Sequence, residues 1–96
     1  MKISILRSAR DDLADGFWFY EAQEAGLGTY FLESLFSDIE SLKVHAGIHP
    51  RCFGFHRALS QRFPYAIYYA VEENTARVRA VLDCRRNPAW IRDRLK

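Results

Sequence analysis

The stretch from Arg62 to Val71, RFPYAIYYAV, constrains this chain more than any other. Phe63, Tyr65, Ile67, Tyr69 and Val71 alternate with Pro64, Ala66, Tyr68 and Ala70. A strand has a side-chain period of two, so the large residues share one face and mostly smaller ones share the other. Aromatic and β-branched residues suit a half-buried pleated surface. Pro64 stands near the start, where a strand can spare a backbone donor. The pattern predicts a central strand with one face buried under helices.

The rest of the chain supplies both layers. Ninety-six residues make one domain, spanning 1–96. Lys2 to Leu6 reads as a first strand. Ser8 and Asp11 have the spacing of a capping box, which places Asp11 and Asp12 in a first helical turn, where negative charge suits the dipole. Ala9, Leu13, Phe17 and Tyr20 then form a helical stripe, with Trp18 toward a neighbouring face. Gly16 is costly inside a helix and suggests close approach by another element. The segment Ala25-Gly26-Leu27-Gly28 breaks this helix. A second helix begins near Thr29 with the stripe Phe31, Leu35, Ile39 and Leu42. The link is short, so the two should form an antiparallel hairpin.

His45 to Pro50 reads as a loop. Cys52 to Leu59 reads as a second strand, leading through Ser60 and Gln61 into the central one. Glu72 to Thr75 is a polar turn, and Ala76 to Asp83 a fourth strand. The last three strands make an antiparallel meander. Strict alternation in the fourth puts Val78, Ala80 and Leu82 on one face and Arg77, Arg79, Val81 and Asp83 on the other. Asn87-Pro88-Ala89 can start a short final helix, with Ile91 and Leu95 one turn apart.

Composition excludes several classes. No apolar run approaches the ~20 residues that span a bilayer, and the start lacks the pattern of a secretory signal. The expectation is a cytoplasmic protein whose two cysteines, Cys52 and Cys84, are reduced thiols. Two cysteines make no zinc site, and neither a metal nor a cofactor is expected. The net charge of +2 hides an asymmetry. Residues 1–46 carry four basic and eight acidic side chains, a net of −4, whereas residues 47–96 carry ten basic and four acidic, a net of +6. Nine of those ten are arginines, whose planar donors suit phosphate and carboxylate. Such a half points to a nucleic-acid or acidic-protein partner.

In its order of blocks the chain resembles the RelE/ParE superfamily of toxins from type II toxin–antitoxin systems. The residues that carry the resemblance are ARDDLADGFWFYEAQEAGLGTYFLESL and RALSQRFPYAIYYAVEENTARVRAVLDCRRNP, with the elements around them. The resemblance implies an α+β fold of order β-α-α-β-β-β-(α), with a helix hairpin packed on a twisted antiparallel sheet. It also implies a cognate antitoxin that wraps the toxin through a segment folding on binding, a role in plasmid stabilisation, and contact with operator DNA only through the antitoxin. No membrane partner is implied.

The superfamily divides between RelE-like ribosome-dependent mRNA endoribonucleases (mRNA interferases) and ParE-like inhibitors of DNA gyrase. A nuclease of this kind must activate a ribose 2′-hydroxyl, neutralise a phosphate transition state and protonate a leaving oxygen. Its candidate catalytic residues here are Arg57, Arg86 and His56. Arg57 matches a basic position of the second strand, and Arg86, beside Arg85, matches the basic site after the last strand. Ala66 stands where the central strand would offer an arginine, and no tyrosine follows Tyr69. These departures favour the ParE-like branch, as does the tail CRRNPAWIRDRLK, similar to the basic, leucine-ending tail of that branch. Candidate target-binding residues are Arg85, Arg86, Trp90, Arg92 and Arg94. Candidate antitoxin-binding residues are Trp18, Arg57, Arg77 and Arg79. Three functions follow: a gyrase-inhibiting toxin, which is a binding protein rather than an enzyme; a ribosome-dependent endoribonuclease; and an attenuated toxin that only binds antitoxin.

Overall fold

The computed structural model describes all 96 residues, Met1–Lys96. Five strands form one sheet in the order β1-β5-β4-β3-β2. They are β1 (Lys2–Ile5), β2 (Arg51–Cys52), β3 (Phe55–Leu59), β4 (Tyr65–Glu72) and β5 (Thr75–Asp83). The helices are α1 (Arg7–Glu21), α2 (Leu27–Glu40), the single turn α3 (Leu42–His45) and α4 (Pro88–Arg94). No helix is long and apolar enough to cross a membrane.

The RFPYAIYYAV stretch supplies β4, and β4 is the middle strand. Tyr65, Ile67 and Tyr69 turn to the helix hairpin, where they meet Leu13, Tyr20, Phe31, Leu35, Ile39 and Leu42 in the main core. Ala66 and Tyr68 turn to the opposite face, where Ile91 and Leu95 of α4 cover them. The sheet therefore lies between two helical layers. The meander β3-β4-β5 is antiparallel as expected, but β1 joins β5 in parallel, so the sheet is mixed rather than antiparallel throughout.

The hairpin of α1 and α2 depends on close approach. A Cβ on Gly16 would lie 2.5 Å from the Phe31 ring, and one on Gly28 would lie 2.7 Å from the Phe17 carbonyl oxygen. Gly26, at φ +91°, makes the turn. The Glu21 carboxylate accepts from the N–H groups of Gly26 and Gly28, so α1 itself caps α2, whose helix starts at Leu27 rather than Thr29.

Three local expectations are overturned. Ser8 is no N-cap: α1 begins at Arg7 after Leu6, and the Ser8 hydroxyl donates to the Arg79 carbonyl at 2.7 Å. Asp11 and Asp12 thus fall one turn further in. The stretch from Cys52 to Leu59 is not one strand but the hairpin β2–β3, reversed at Phe53 and Gly54, both with positive φ (53° and 86°). Two positive-φ residues give the two-residue turn whose twist matches its flanking strands. The β4–β5 turn repeats this at Glu73 and Asn74, with φ 48° and 60°.

The third correction concerns β5. Tyr68 pairs with Ala80 but Tyr69 pairs with Val78, leaving Arg79 as an extra residue, a β-bulge. The bulge resets the alternation. Ala76, Val78 and Val81 pack under the helix hairpin, while Ala80 and Leu82 pack under α4. Val81 therefore exchanges faces with Ala80 and Leu82 relative to the strict pattern. One strand so serves both cores.

Candidate functional site

The basic C-terminal segment is built from the end of β5 outward. Asp83 closes the strand and holds Arg85 in a fork: Nε donates to Oδ1 at 3.0 Å and Nη2 to Oδ2 at 2.7 Å. The paired guanidinium keeps the Asp83 carboxyl below the usual carboxylate range and raises Arg85 in turn. Asn87 caps α4, its Oδ1 accepting from the Ala89 N–H at 2.7 Å, and Pro88 occupies the first turn. Arg86 lies over the Trp90 ring, 4.1 Å from its centroid, a cation–π contact. Ile91 and Leu95 are the buried face of α4 and fix it on the sheet. Arg85, Arg86, Trp90 and Arg92 are left exposed on the outer side.

Arg94 differs. Its Nη2 donates to Asp12 Oδ1 at 2.6 Å and to the Ser8 carbonyl at 3.2 Å. The other Asp12 oxygen accepts from the Val81 N–H at 3.0 Å. Beyond β1, then, side chains of α1 satisfy the open edge of β5: the Ser8 hydroxyl supplies a donor to the Arg79 carbonyl and the Asp12 carboxylate an acceptor to the Val81 N–H. Arg79 completes the clasp, donating to the Ser8 hydroxyl at 2.9 Å and to the Arg94 and Lys96 carbonyls at 3.3 and 3.1 Å. Burial raises the Asp12 carboxyl above 3.8, against the opposite pull of the Val81 N–H and Arg94. Arg94 and Arg79 thus fasten α4 to α1. A groove of about 450 Å³ runs beside the clasp, with Asp11 and Asp15 on one wall and Arg86 and Trp90 on the other.

The three nuclease candidates are divided. Arg57 lies on the α4 side, where Nε donates to the Tyr68 hydroxyl at 3.3 Å and Nη2 approaches Cys84 Sγ at 3.5 Å. That places it against the turn carrying Arg86. His56 faces the helix hairpin. Its ring stacks on Tyr69 at 5.1 Å between centroids, and Nδ1 bonds the His49 carbonyl at 2.8 Å. His56 is thus separated by the sheet from the other two.

The antitoxin candidates also occupy different places. Trp18, 67% exposed, stands on α1. Arg77 is exposed on β5, 3.9 Å from Glu72. Arg57 lies beside α4, and Arg79 in the clasp.

Sequence reasoning missed two constellations. One is the Asp12–Arg94 pair, which joins residues 82 positions apart. Its only sequence trace is an aspartate on the apolar stripe, one position before Leu13. The other is the Tyr69 hydroxyl, which accepts from the Gly47 N–H at 2.9 Å and is therefore free to donate to His49 Nδ1. Burial, then His56 and His45, lower the His49 pKa, which suits that acceptor role.

No family model matches the sequence, and no curated protein matches it. Among solved structures the chain is similar to one from the chromosomal ParDE toxin–antitoxin system from P. aeruginosa. The two are 15% identical and superpose with a TM-score of 0.73 over 84% of this chain and 92% of the other. The likeness is one of fold: the RelE/ParE-like architecture is the one this chain adopts.

Proposed function

We propose that the chain is the toxin of a type II toxin–antitoxin pair, that a cognate antitoxin neutralises it, and that it acts by binding and inhibiting DNA gyrase. The fold shared with a chain of a ParDE system supports the toxin reading. The observation that carries the gyrase reading is the exposed row of Arg85 and Arg86, in the turn after β5, with Trp90 and Arg92, on the capped helix that Ile91 and Leu95 pin to the sheet. Such a row offers positive charge and an indole to an acidic or nucleic-acid surface without reacting with it.

The α4 face supports binding over cleavage. Ala66 provides no proton-transfer group, Tyr68 is buried and its phenol is raised by that burial, and His56 lies across the sheet from Arg57 and Arg86. Phosphodiester cleavage needs an acid and a base converging on one phosphate. The antitoxin would cover the hairpin face around Trp18 and meet the arginines with acidic residues.

Expression tests the reading. Induced alone, the chain should arrest growth, and co-expression of the acidic-tailed protein encoded beside it should restore growth. Arrest with intact mRNA and altered plasmid supercoiling supports gyrase as target. Arrest with mRNA cut at codons on translating ribosomes would replace it with the endoribonuclease. A folded chain that binds the antitoxin but never arrests growth would be an attenuated toxin.

A further inference from the structure

The groove between α1 and α4 holds charges that the chain does not pair. Four acids and two arginines line it. Asp12 is taken by Arg94, and Asp83 by Arg85. Asp11 and Asp15, both exposed and one helical turn apart on α1, have no ion-pair partner. Arg86 lies over the Trp90 ring instead of meeting either of them. The charge of Asp15 also adds to the burial that raises the Asp12 carboxyl, as an unbalanced carboxylate does to its neighbour.

A second feature points into the same groove. Tyr65 is 8% exposed and lines it. No group of the chain bonds the Tyr65 hydroxyl. That hydroxyl is not sealed in the core, where Ser34 Oγ is the one buried side-chain atom without a partner. The phenol oxygen therefore opens to the groove. A nearly buried hydroxyl needs a partner, and only an occupant of the groove can supply one. Phe19, 52% exposed, and Trp90, 38% exposed, add aromatic surface to the walls. A volume of about 450 Å³ suits a small ligand or one long side chain.

Aromatic rings beside unpaired carboxylates select one ligand chemistry. The face of a ring attracts a cation, and a carboxylate accepts from the cation's N–H groups. Asp11 and Asp15 repel an anion, and a neutral apolar molecule would cover the Tyr65 hydroxyl without bonding it. Arg86 shows that the Trp90 indole takes a guanidinium. We propose that the groove binds a guanidinium or ammonium group on an apolar stem. Asp11 and Asp15 balance its charge, the Tyr65 oxygen accepts one of its N–H donors, and Phe19 and Trp90 flank the stem. Arginine and lysine side chains of a partner carry such a group, and so do free polyamines. The site is opposite in sign to the outward arginines of α4 and stands independently of the gyrase reading.

NMR titration of the full chain tests the site, with N-acetyl-arginine amide and spermidine as the probes and N-acetyl-glutamate amide as the control. Both cations should shift the Trp90 indole N–H and the Gly16 amide saturably, and the glutamate control should leave them in place. The tighter of the two cations assigns the source, a protein side chain or a polyamine. The variant D11N/D15N, changed only at exposed side chains, should bind about tenfold more weakly. Tyr65→Phe, which removes one oxygen, should bind about threefold more weakly. E24Q/E33Q removes the same charge from exposed residues outside the groove and should keep wild-type affinity. The site is overturned by the absence of a saturable shift with either cation, or by an equal response to the glutamate control. Wild-type affinity in D11N/D15N or in Tyr65→Phe, or equal weakening in E24Q/E33Q, overturns it as well.

Discussion

Replacing Asp12 with alanine should loosen the protein at the junction that holds α4. Two groups lose their partner at once. The Val81 N–H is buried, and leaving such a donor unsatisfied costs about 1–3 kcal/mol. The Arg94 guanidinium, 27% exposed, can recover part of its loss from water, so about 1 kcal/mol is fair for that half. Alanine returns roughly 0.5 kcal/mol in helix propensity. The net is a destabilisation of about 2–3 kcal/mol, and at ~4–8 °C per kcal/mol for a domain of this size the melting temperature should fall by roughly 10–20 °C. Asparagine keeps one oxygen for Val81 but sets an amide NH₂ against Arg94, so D12N should lose about half as much. Urea denaturation of wild type, D12A, R94A and the double variant gives the coupling energy, expected near 1 kcal/mol. The pH dependence has a definite sign. The folded-state pKa of Asp12 is raised by burial, so folding favours its protonated form: the proton-linked part of its stability is full below 3.8 and is lost as pH rises through the folded value, apart from the bonds to Val81 and Arg94 that D12A removes. D12A stability within 0.5 kcal/mol of wild type, or a coupling energy indistinguishable from zero, would refute the reasoning.

Other perturbations read other parts of the structure. Gly28→Ala drives a Cβ to 2.7 Å from a backbone carbonyl that cannot rotate away, and should cost about 1–3 kcal/mol in a thermal melt. Deleting Arg79 removes only the extra residue of the bulge and leaves Val78, Ala80, Val81 and Leu82 alternating between their native faces, so the deletion variant should still unfold cooperatively; like Arg79→Ala it loses the clasp, which should cost about 1–2 kcal/mol in urea denaturation. Tyr65 is raised by burial to about 12, with Tyr20 and Tyr68 raised also, so the folded state holds these protons and stability should be whole below pH 10 and decline as pH rises through 12. Tyr65→Phe should flatten that decline in urea midpoints measured along the alkaline range.

The legible parts of the sequence were those with an undisturbed period. The alternation from Phe63 to Tyr69 placed β4 and both its faces, and the spacing of Phe31, Leu35, Ile39 and Leu42 placed α2 against it. Gly16 announced the close helix contact that Phe31 makes. What escaped had no local signature. The bulge at Arg79 is set by pairing with β4, so nothing between Ala76 and Asp83 warns that the period slips. Phe53-Gly54 folds as a tight turn although phenylalanine is an unusual residue at positive φ. Ser8 had the spacing of a cap, but a carbonyl at Arg79 claimed its hydroxyl. For the site, the exposed row on α4 followed from amphipathic spacing, since Ile91 and Leu95 facing inward leave Trp90 and Arg92 outward. Arg94 did not: its partner lies on α1, and only the folded chain brings Asp12 within reach.

The proposed activity is tested most directly by a supercoiling assay with purified DNA gyrase and the folded, antitoxin-free chain. Inhibition at stoichiometric levels is predicted, relieved by the cognate antitoxin and lost when Arg86 and Trp90 are both replaced by alanine. Full supercoiling activity in the presence of excess folded chain would contradict the account.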